Sequence, residues 1–426
     1  MRITSIYSLL TRKQNQVLQS YLHDDWRVLI LSGAVRAGKT YISDWIFLME
    51  IRRVAEMAEK RNDPHPIVIL AGYSSNSIYT NVIASIESEF GIELKTDRHG
   101  HYHFRQVDIV PVYTGNKRGV GAIRGATAYS AYIDEGSLAD QSVFQEILQR
   151  CSVKGSRIIV TTNPGNPNHF LKADYIDKAT NADARINAFN FTIDDNTFLP
   201  TEYVKALKAQ TPSGMYYDRS ILGLWVTGEG AIYCDFDERK MAVDSVPKNL
   251  KYTAGIDWGY NHPCSITVFG EDEEGKFYLV EEHTESYKEI DYWTKVAHNL
   301  QKKYGRNIPF YADTARPEHI DHFKHAGINC LYGWKSVVSG IEVVAKLMKS
   351  NRFFVLKGHT QKFMEEIYNY QWDDKAEDKP VKEMDHVMDS MRYCLATQLH
   401  LKERKTYHPV SNDREGIMRG MRELGL

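Results

Sequence analysis

The sequence predicts an α/β protein of two domains, the first built on a mainly parallel sheet and the second on a mixed sheet. The chain has 426 residues, which is long for a single hydrophobic core. In the first half, apolar strand-like runs alternate with helical patterns, as in parallel sheets that are covered on both faces. In the second half, three successive strand patterns precede a further alternation of strands and helices, which indicates a sheet with antiparallel strands.

The first half contains four strand patterns, "WRVLILSG", "HPIVILAGY", "ATAYSAYIDE" and "SRIIVTTNP". Between them lie helical patterns at "TYISDWIFLMEIRRVAEMAEKR", "NSIYTNVIASIESEF" and "SVFQEILQRCS". A helix between two strands carries the chain back to the edge where the previous strand began, so the strands run parallel. We expect the first domain to span residues 1–228.

A looser stretch at 229–250 carries glycines, a proline and no helical period, and we interpret it as a linker. The second domain is expected at 251–401. It begins with "YTAGIDWGY", "CSITVFGE" and "KFYLVEEH", and continues with the helix "DYWTKVAHNLQKKYG", the strand "IPFYADTA" and a last helix, "DHVMDSMRYCLATQLHL". Residues 402–426 are polar and contain Pro409 and Gly416, which predicts a mobile tail.

The composition is that of an ordinary soluble globular protein, with 42% hydrophobic and 25% charged residues. No apolar run has the length of a membrane span, so no membrane partner is expected. The five cysteines form no CxxC pair, which favours a reducing, cytosolic compartment and argues against a zinc site. The formal net charge of −2 excludes a uniformly basic surface but leaves room for a local DNA-binding patch.

The stretch "GAVRAGKT" at 33–40 has the spacing of a phosphate-binding P-loop between a predicted strand and a predicted helix. Its backbone N–H groups, including those of Gly33, Ala37 and Gly38, would face the phosphates. Lys39 would reach the β- and γ-phosphates, and Thr40 would bind Mg²⁺. The alternative is a plain glycine turn, which the flanking strand and helix disfavour.

An apolar strand ends in "IDE", which places two carboxylates where a nucleotide hydrolase needs them. Asp134 would hold Mg²⁺, and Glu135 would position the attacking water. Alone, the pair is more simply an ordinary strand end. Together with the P-loop, the functional interpretation is favoured.

Several polar residues are further candidates for the nucleotide site. Thr161, Thr162 and Asn163 follow a third strand and could sense the γ-phosphate, although "TNPGNPN" is equally good turn chemistry. The other candidates are Arg36 inside the loop, Arg124 as an arginine finger toward a neighbouring subunit, and Gln14 or Gln16 as an adenine contact. Solvated surface side chains are the alternative for each.

Three aspartates of the second half occupy suggestive positions. Asp257 and Asp313 end predicted strands, and Asp389 lies on the last helix with Asp385 and His386 close by in the sequence. Such carboxylates can hold two Mg²⁺ or Mn²⁺ ions that clamp the attacking water and the leaving oxygen of a phosphodiester. Singly, each aspartate is more simply a cap or a solvated charge, but the RNase H-like order of elements favours a nuclease.

Two further residues are weaker candidates of the second site. Glu282 follows the third strand pattern and could support a metal, and Lys335 in "YGWKSVV" could contact a phosphate. A surface ion pair is the simpler interpretation for both.

The chain as a whole resembles the large terminase subunit of tailed bacteriophages, over nearly its full length. The motifs that carry the resemblance are "GAVRAGKT", "AYIDE", "TTNPGNPNH", "GIDWG", "ADTA" and "DHVMDSMRY", in that order. The resemblance implies a P-loop ATPase domain followed by an RNase H-like nuclease domain. It also implies that ATP hydrolysis drives double-stranded DNA into a procapsid and that an endonuclease cuts concatemeric DNA at initiation and termination.

By the same resemblance, the ATPase residues are Lys39, Thr40, Asp134 and Glu135, with coupling at Thr162 and Asn163. The nuclease metals fall on Asp257, Asp313 and Asp389, with His386 beside them and Asp385 as an alternative third carboxylate. Arg36 and Arg124 match arginines that family members carry in the P-loop and before the metal-binding strand.

The implied partners are the portal protein, a small terminase subunit and other copies of the chain in a ring on the portal. The implied location is the host cytoplasm, with transient attachment to the procapsid. A host DNA-repair ATPase-nuclease would need helicase motifs that the chain has no room for. A nucleotide-gated DNA-binding scaffold without nuclease activity stays open as the alternative.

Overall fold

The computed structural model describes residues 6–373, 376, 378–403 and 421. The chain divides into two compact units, which are described separately. Among the described residues, the first unit comprises 6–204, 218–226 and 421, and the second comprises 205–217 and 227–403. Most of the tail expected at 402–426 lies outside the described residues.

A seven-stranded sheet forms the centre of the first unit. Its strands are β1 (Val28–Gly33), β2 (Ile67–Gly72), β3 (Tyr102–Phe104), β4 (Val107–Tyr113), β5 (Ala128–Ile133), β6 (Arg157–Thr162) and β7 (Ile186–Phe191). They lie in the order β3-β4-β2-β5-β6-β1-β7, and only β3 and β4 pair antiparallel. The mainly parallel sheet expected from the sequence is confirmed, with β3, β4 and β7 as additional strands.

Helices cover this sheet on both faces. They are α1 (Arg12–His23), α2 (Lys39–Glu59), α3 (Ser75–Ile78), α4 (Ala84–Phe90), α5 (Gly119–Ile123) and α6 (Gln141–Arg150), and α7 (Thr201–Gln210) and α8 (Met215–Ser220) follow in the chain. Alternate residues of β1 enter different hydrophobic clusters, Leu29 and Leu31 one, Val28 and Ile30 the other. Both faces of the sheet are therefore buried, as a parallel sheet requires.

The helix predicted over "NSIYTNVIASIESEF" is interrupted. A π-helical turn at Tyr79–Ile83 separates α3 from α4. Such a turn inserts one residue into the helical repeat and often marks a functional site. It changes which side chains of this segment face the sheet, an effect that a 3.6-residue period cannot predict.

The second unit has its own seven-stranded sheet. Its strands are β8 (Ala242–Val243), β9 (Lys251–Asp257), β10 (Cys264–Glu271), β11 (Phe277–Glu285), β12 (Phe310–Ala312), β13 (Cys330–Tyr332) and β14 (Phe353–Leu356). The order is β13-β12-β9-β10-β11-β14-β8, with β9, β10 and β11 antiparallel and the remaining pairs parallel. The mixed sheet is thus confirmed. The edge strand β8 lies inside 229–250, the stretch interpreted as a linker.

The helices of the second unit end with α14, which carries several of the candidate nuclease residues. They are α9 (Glu238–Met241), α10 (Ile290–Tyr304), α11 (Pro317–His325), α12 (Val337–Lys349), α13 (Gln361–Ile367) and α14 (His386–Glu403). A Cβ at Gly255 of β9 would lie 2.0 Å from the Ser390 carbonyl oxygen, so only glycine allows α14 to approach this closely. The Ser390 hydroxyl donates to the Gly255 carbonyl at 2.9 Å, which fixes α14 on the sheet. Among the described residues, no helix combines the length and the apolar character needed to cross a membrane.

Candidate active sites

The first candidate site lies at the carboxyl ends of β1, β6 and β5. Strand β6 pairs with β1 on one side and with β5 on the other, and all three are parallel. Their carboxyl ends therefore meet at one edge of the sheet, where α/β proteins commonly bind ligands. The P-loop follows β1, the "DE" pair follows β5, and the threonines at the end of β6 lie between them.

The glycines of the P-loop are needed for its backbone path. Gly33 has a φ of 144°, and a Cβ there would lie 2.1 Å from the Phe191 carbonyl oxygen of β7. Gly38 has a φ of 88° and is the N-cap of α2, while Ala37 is buried beside it. The loop thus ends at a helix N-terminus whose free N–H groups suit a phosphate.

Lys39 is buried and points back into the loop. Its Nζ donates to the carbonyl oxygens of Gly33 at 2.8 Å and Ala34 at 2.7 Å, and to Oδ1 of Asn163 at 3.0 Å. Burial lowers the pKa of Lys39 to about 8, and the nearby charge of Asp134 acts in the opposite direction. The ammonium is therefore held among neutral acceptors that a phosphate oxygen can replace.

Asp134 is nearly buried and is held through both of its oxygens. Its Oδ1 accepts the Thr161 hydroxyl at 2.7 Å, and its Oδ2 accepts the Asn81 amide at 2.9 Å. Asn81 lies on the π-helical turn and had no signal in the sequence, where its segment has an ordinary helical pattern. Glu135 adopts a left-handed conformation with φ 52°, and burial followed by the charge of Asp134 raises its pKa.

The other polar residues of this edge have distinct positions. The Thr162 hydroxyl accepts the Ser137 N–H at 3.0 Å and donates to the Asn163 carbonyl at 3.0 Å. This bond ties the end of β6 to the segment just after Glu135. Thr40 is exposed in the first turn of α2. The structure therefore brings together the P-loop, the "DE" pair and the "TTN" segment.

Gln14 and Gln16, the two candidate adenine contacts, differ in burial. Gln14 is 2% exposed; its amide oxygen accepts the Thr11 N–H at 2.8 Å, and its amide nitrogen donates to the Gly38 carbonyl at 2.8 Å. It thereby caps α1 and holds this helix against the P-loop. Gln16 is exposed on the same helix.

The two candidate arginines are both exposed. Arg36 has a φ of 59°, and its guanidinium lies 5.6 Å from the centre of the Tyr203 ring, while its carbonyl accepts the Asn196 amide at 2.8 Å. Arg124 caps the end of α5, and its side chain has no hydrogen bond or ion pair within the described part of the chain. Arg124 is thus available to a partner molecule.

The second candidate site lies at the carboxyl ends of β9 and β12, which are parallel neighbours. Ile256 pairs with Ala312, so the next residues, Asp257 and Asp313, emerge side by side. The Tyr393 hydroxyl of α14 donates to Oδ1 of Asp313 at 3.0 Å. These two strand-end carboxylates are thus brought together as the sequence predicted.

His386, the first residue of α14, contacts Asp257. Its Nδ1 lies 3.1 Å from Oδ2 of Asp257 and 4.0 Å from Oδ1 of Asp385. Burial raises the pKa of Asp257 to about 6, although the hydrogen bond to His386 acts in the opposite direction. The same bond raises the pKa of His386. The two groups stabilise each other as an ion pair or a shared hydrogen bond.

Asp385 and Asp389 are both nearly buried and share one cation. The Lys382 Nζ lies 3.0 Å from Oδ2 of each carboxylate. The remaining oxygen of Asp389 accepts two bonds from Arg392, at 3.2 Å from Nε and 3.0 Å from a terminal nitrogen. Lys382 and Arg392 were not expected from the sequence; their only signal there is a basic residue three positions before Asp385 and another three after Asp389.

The accessory candidates lie elsewhere. Glu282 accepts the backbone N–H groups of Lys362 at 2.5 Å and Phe363 at 2.9 Å, so it caps the start of α13. Lys335 is exposed beyond the end of β13. In the described residues, no three His, Cys, Asp or Glu side chains are close enough to form a metal-binding group. The carboxylate oxygens suit Mg²⁺ or Mn²⁺ chemically, but several are engaged by side chains of the protein.

Two family models of known proteins match the chain, one mainly in the first unit and one in the second. The family model described as "Terminase large subunit, T4likevirus-type, N-terminal" matches residues 30–240, and "Terminase RNaseH-like domain" matches residues 254–398. No curated protein matches the chain.

Among solved structures, the large terminase from a thermophilic bacteriophage is 25% identical with a TM-score of 0.78, covering 92% of this chain and 99% of that one. The same phage protein in complex with ADP is 26% identical with a TM-score of 0.76, covering 92% and 100%. Its complex with ATP-gamma-S is 25% identical with a TM-score of 0.75, covering 92% and 99%.

The resemblance that the sequence motifs suggested is therefore confirmed, as are the P-loop ATPase and RNase H-like folds of the two domains. The chain belongs to the family of terminase large subunits, the motors of viral DNA packaging.

Proposed function

We propose that this chain hydrolyses ATP at the β1–β6–β5 edge to move double-stranded DNA, and cleaves DNA at the β9–β12 edge with a divalent metal. The observation that carries the first part is a pair of hydrogen bonds at the end of β6. Lys39 of the P-loop donates to Asn163, and Thr161, two residues before Asn163, donates to Asp134. A change at the phosphate would be transmitted along β6 to the carboxylates.

In the ATPase step, Lys39 exchanges its loop carbonyls for phosphate oxygens of the nucleotide. Thr40 and Asp134 would offer the hard oxygen ligands that Mg²⁺ prefers, and a bound ion would neutralise phosphate charge. Glu135, with its raised pKa, orients the attacking water. The nucleotide complexes of the thermophilic phage terminase support ATP as the ligand. Gln14 holds α1 against the loop, and an adenine contact would use this position.

Two substitutions test the ATPase roles. Lys39→Ala is expected to abolish ATP turnover and weaken nucleotide binding, whereas Glu135→Gln is expected to preserve binding and stop hydrolysis. Lys60→Ala is the control, because Lys60 is exposed at the far end of α2. Wild-type turnover in either variant would refute the corresponding role.

In the nuclease step, Asp257, Asp313 and Asp389 would hold the metal, with Asp385 as a further ligand candidate. Mg²⁺ or Mn²⁺ supplies Lewis-acid activation of water and of the phosphodiester. His386 orients Asp257, and Tyr393 orients Asp313. Since the family resemblance implies cutting only at initiation and termination, the site must be restrained during translocation.

Cleavage of plasmid DNA with Mg²⁺ or Mn²⁺ tests the nuclease against the alternative of a scaffold. Asp257→Ala and Asp313→Ala are each expected to remove cutting. Asp321→Ala serves as the control, since Asp321 is exposed on α11 and its one ion pair within the described residues is with Lys324. Undiminished cutting in both active-site variants would refute this nuclease site, and a wild-type chain that does not cut would favour the scaffold interpretation.

The chain would act as a homo-oligomeric ring on the portal protein in the host cytoplasm, with a small terminase subunit selecting the start site. DNA contacts that are mainly to phosphates make binding salt-sensitive and nearly sequence-independent. Arg124 would complete the neighbour's nucleotide site, and Arg36 would act within its own loop. Mixing Arg124→Ala chains with Glu135→Gln chains in assembled rings is expected to restore part of the turnover. A mixture that stays inactive would refute the finger in trans.

A further inference from the structure

One basic side chain occupies the acidic end of the proposed nuclease site. The Lys382 side chain is 65% exposed, yet its Nζ lies 3.0 Å from each of two carboxylates that are only 7% and 9% exposed, those of Asp385 and Asp389. A single ammonium thus bridges two nearly buried anions. This is the arrangement in which a divalent ion would also bridge them.

The other two carboxylates differ in their partners. Asp257 and Asp313 each have one oxygen held, by His386 and by Tyr393. Their second oxygens, Oδ1 of Asp257 and Oδ2 of Asp313, accept no hydrogen bond within the described part of the chain. One pair of carboxylates is therefore open to a cation, and the other pair is already occupied by one.

The net charge of the site agrees with this difference between the two pairs of carboxylates. Four carboxylates and the two cations Lys382 and Arg392 leave a formal charge of −2 when His386 is counted as neutral. Arg392 is 1% exposed and bound through two nitrogens, so it is part of the packed interior. The Lys382 side chain is largely exposed, and its rotation alone would free the Oδ2 atoms of both Asp385 and Asp389.

We propose that Lys382 competes with a divalent metal ion for Asp385 and Asp389, and so restrains the nuclease until metal and DNA are present together. The inference rests on the proposed nuclease function. An ion at Oδ1 of Asp257 and Oδ2 of Asp313 meets oxygens that no side chain of the described residues contacts, because His386 lies on the other oxygen of Asp257. An ion that also uses Asp389 must displace the ammonium, and a DNA phosphate offers the released Lys382 a new anionic partner.

Binding of Mn²⁺ to the full chain without nucleotide tests the proposal, with free Mn²⁺ followed by electron paramagnetic resonance. The measured quantity is the Asp389-dependent binding, that is, the Mn²⁺ binding that the Asp389→Asn substitution removes. Lys382→Met removes the ammonium and keeps the apolar stem, so this Asp389-dependent binding is expected to tighten about tenfold or more. Lys382→Arg keeps the charge and is expected to bind as the wild type does.

Lys379→Met is the matched control, since Lys379 is an exposed lysine three positions earlier and its side chain has no ion pair in the described residues. It is expected to leave Mn²⁺ binding unchanged. Equal Asp389-dependent affinity in wild type and Lys382→Met would overturn the competition. Loss of Mn²⁺ binding on Asp257→Asn tests the metal site itself, so failure of the proposed nuclease is distinguished from failure of the role of Lys382.

Discussion

The buried acid Glu366 gives a prediction that can be worked out in numbers. It lies on α13 with no exposed surface, and its Oε2 accepts the backbone N–H groups of Val387 at 2.8 Å and Met388 at 3.4 Å. It therefore caps the start of α14, the helix that carries Asp389. Its Oε1 is buried without a hydrogen-bond partner in the described part of the chain. Burial raises the pKa of Glu366 from 4.5 to about 7, against the opposing effect of the two N–H groups.

The raised pKa makes the stability of the second unit depend on pH. Below pH 4.5 the carboxyl is protonated in both the folded and the unfolded chain. Between pH 4.5 and 7 the unfolded chain ionises first, so the free energy of unfolding falls as the pH rises, and above pH 7 the penalty stays constant. The two pKa values correspond to a loss of about 2–3 kcal/mol between pH 5 and pH 8.

Glu366→Gln keeps an oxygen acceptor for the two N–H groups and removes the titration. We expect the variant to gain stability relative to the wild type as the pH rises, by about 2–3 kcal/mol from pH 5 to pH 8. That gain corresponds to a difference in melting temperature of roughly 5–10 °C for a domain of this size. Thermal and urea unfolding of both proteins, followed by tryptophan fluorescence at several pH values, measures it.

The control is Glu365→Gln, because Glu365 is exposed and, in the part of the chain that the structure describes, its ion pair is with Lys362 alone. Its effect is expected to stay nearly constant with pH, as for other exposed ion pairs. If the difference between Glu366→Gln and wild type does not grow with pH, then Glu366 is ionised in the folded chain. The helix would then have a charged cap, and the reasoning from burial would be wrong.

Two further predictions concern the parts of each site that the sequence did not reveal. Asn81→Ala removes one of the two donors that hold Asp134, so ATP turnover should fall about tenfold with little change in nucleotide affinity. The control is Asn76→Ala, because Asn76 is exposed in the same segment. A fall in nucleotide affinity alone would contradict a positioning role for Asn81. Gly255→Ala places a Cβ 2.0 Å from the Ser390 carbonyl oxygen, so α14 must shift away from β9. We expect loss of DNA cleavage and a lower melting temperature. Unchanged cleavage would show that the close approach is dispensable.

The sequence by itself determined the parts of the protein that depend on short-range patterns. Alternating strands and helices predicted the parallel sheet, and the P-loop spacing predicted the turn between β1 and α2. The positions of Asp134, Asp257 and Asp313 at strand ends followed from apolar runs that stop at a carboxylate. These features are local, because side-chain periodicity and glycine conformations act within a few residues.

Only the tertiary structure decided which polar groups meet. Asn81 reaches Asp134 because a π-helical turn shifts its segment, and Lys382 reaches Asp385 and Asp389 because the start of α14 is fixed over the sheet. The residues of each pair come from different elements or different turns of the chain. Close packing, such as the approach of α14 to Gly255, brings them together. A shift of a few tenths of an ångström in the distance between donor and acceptor decides whether such groups form a hydrogen bond. Sequence spacing fixes the type of side chain available, and packing fixes which of them are close enough to interact.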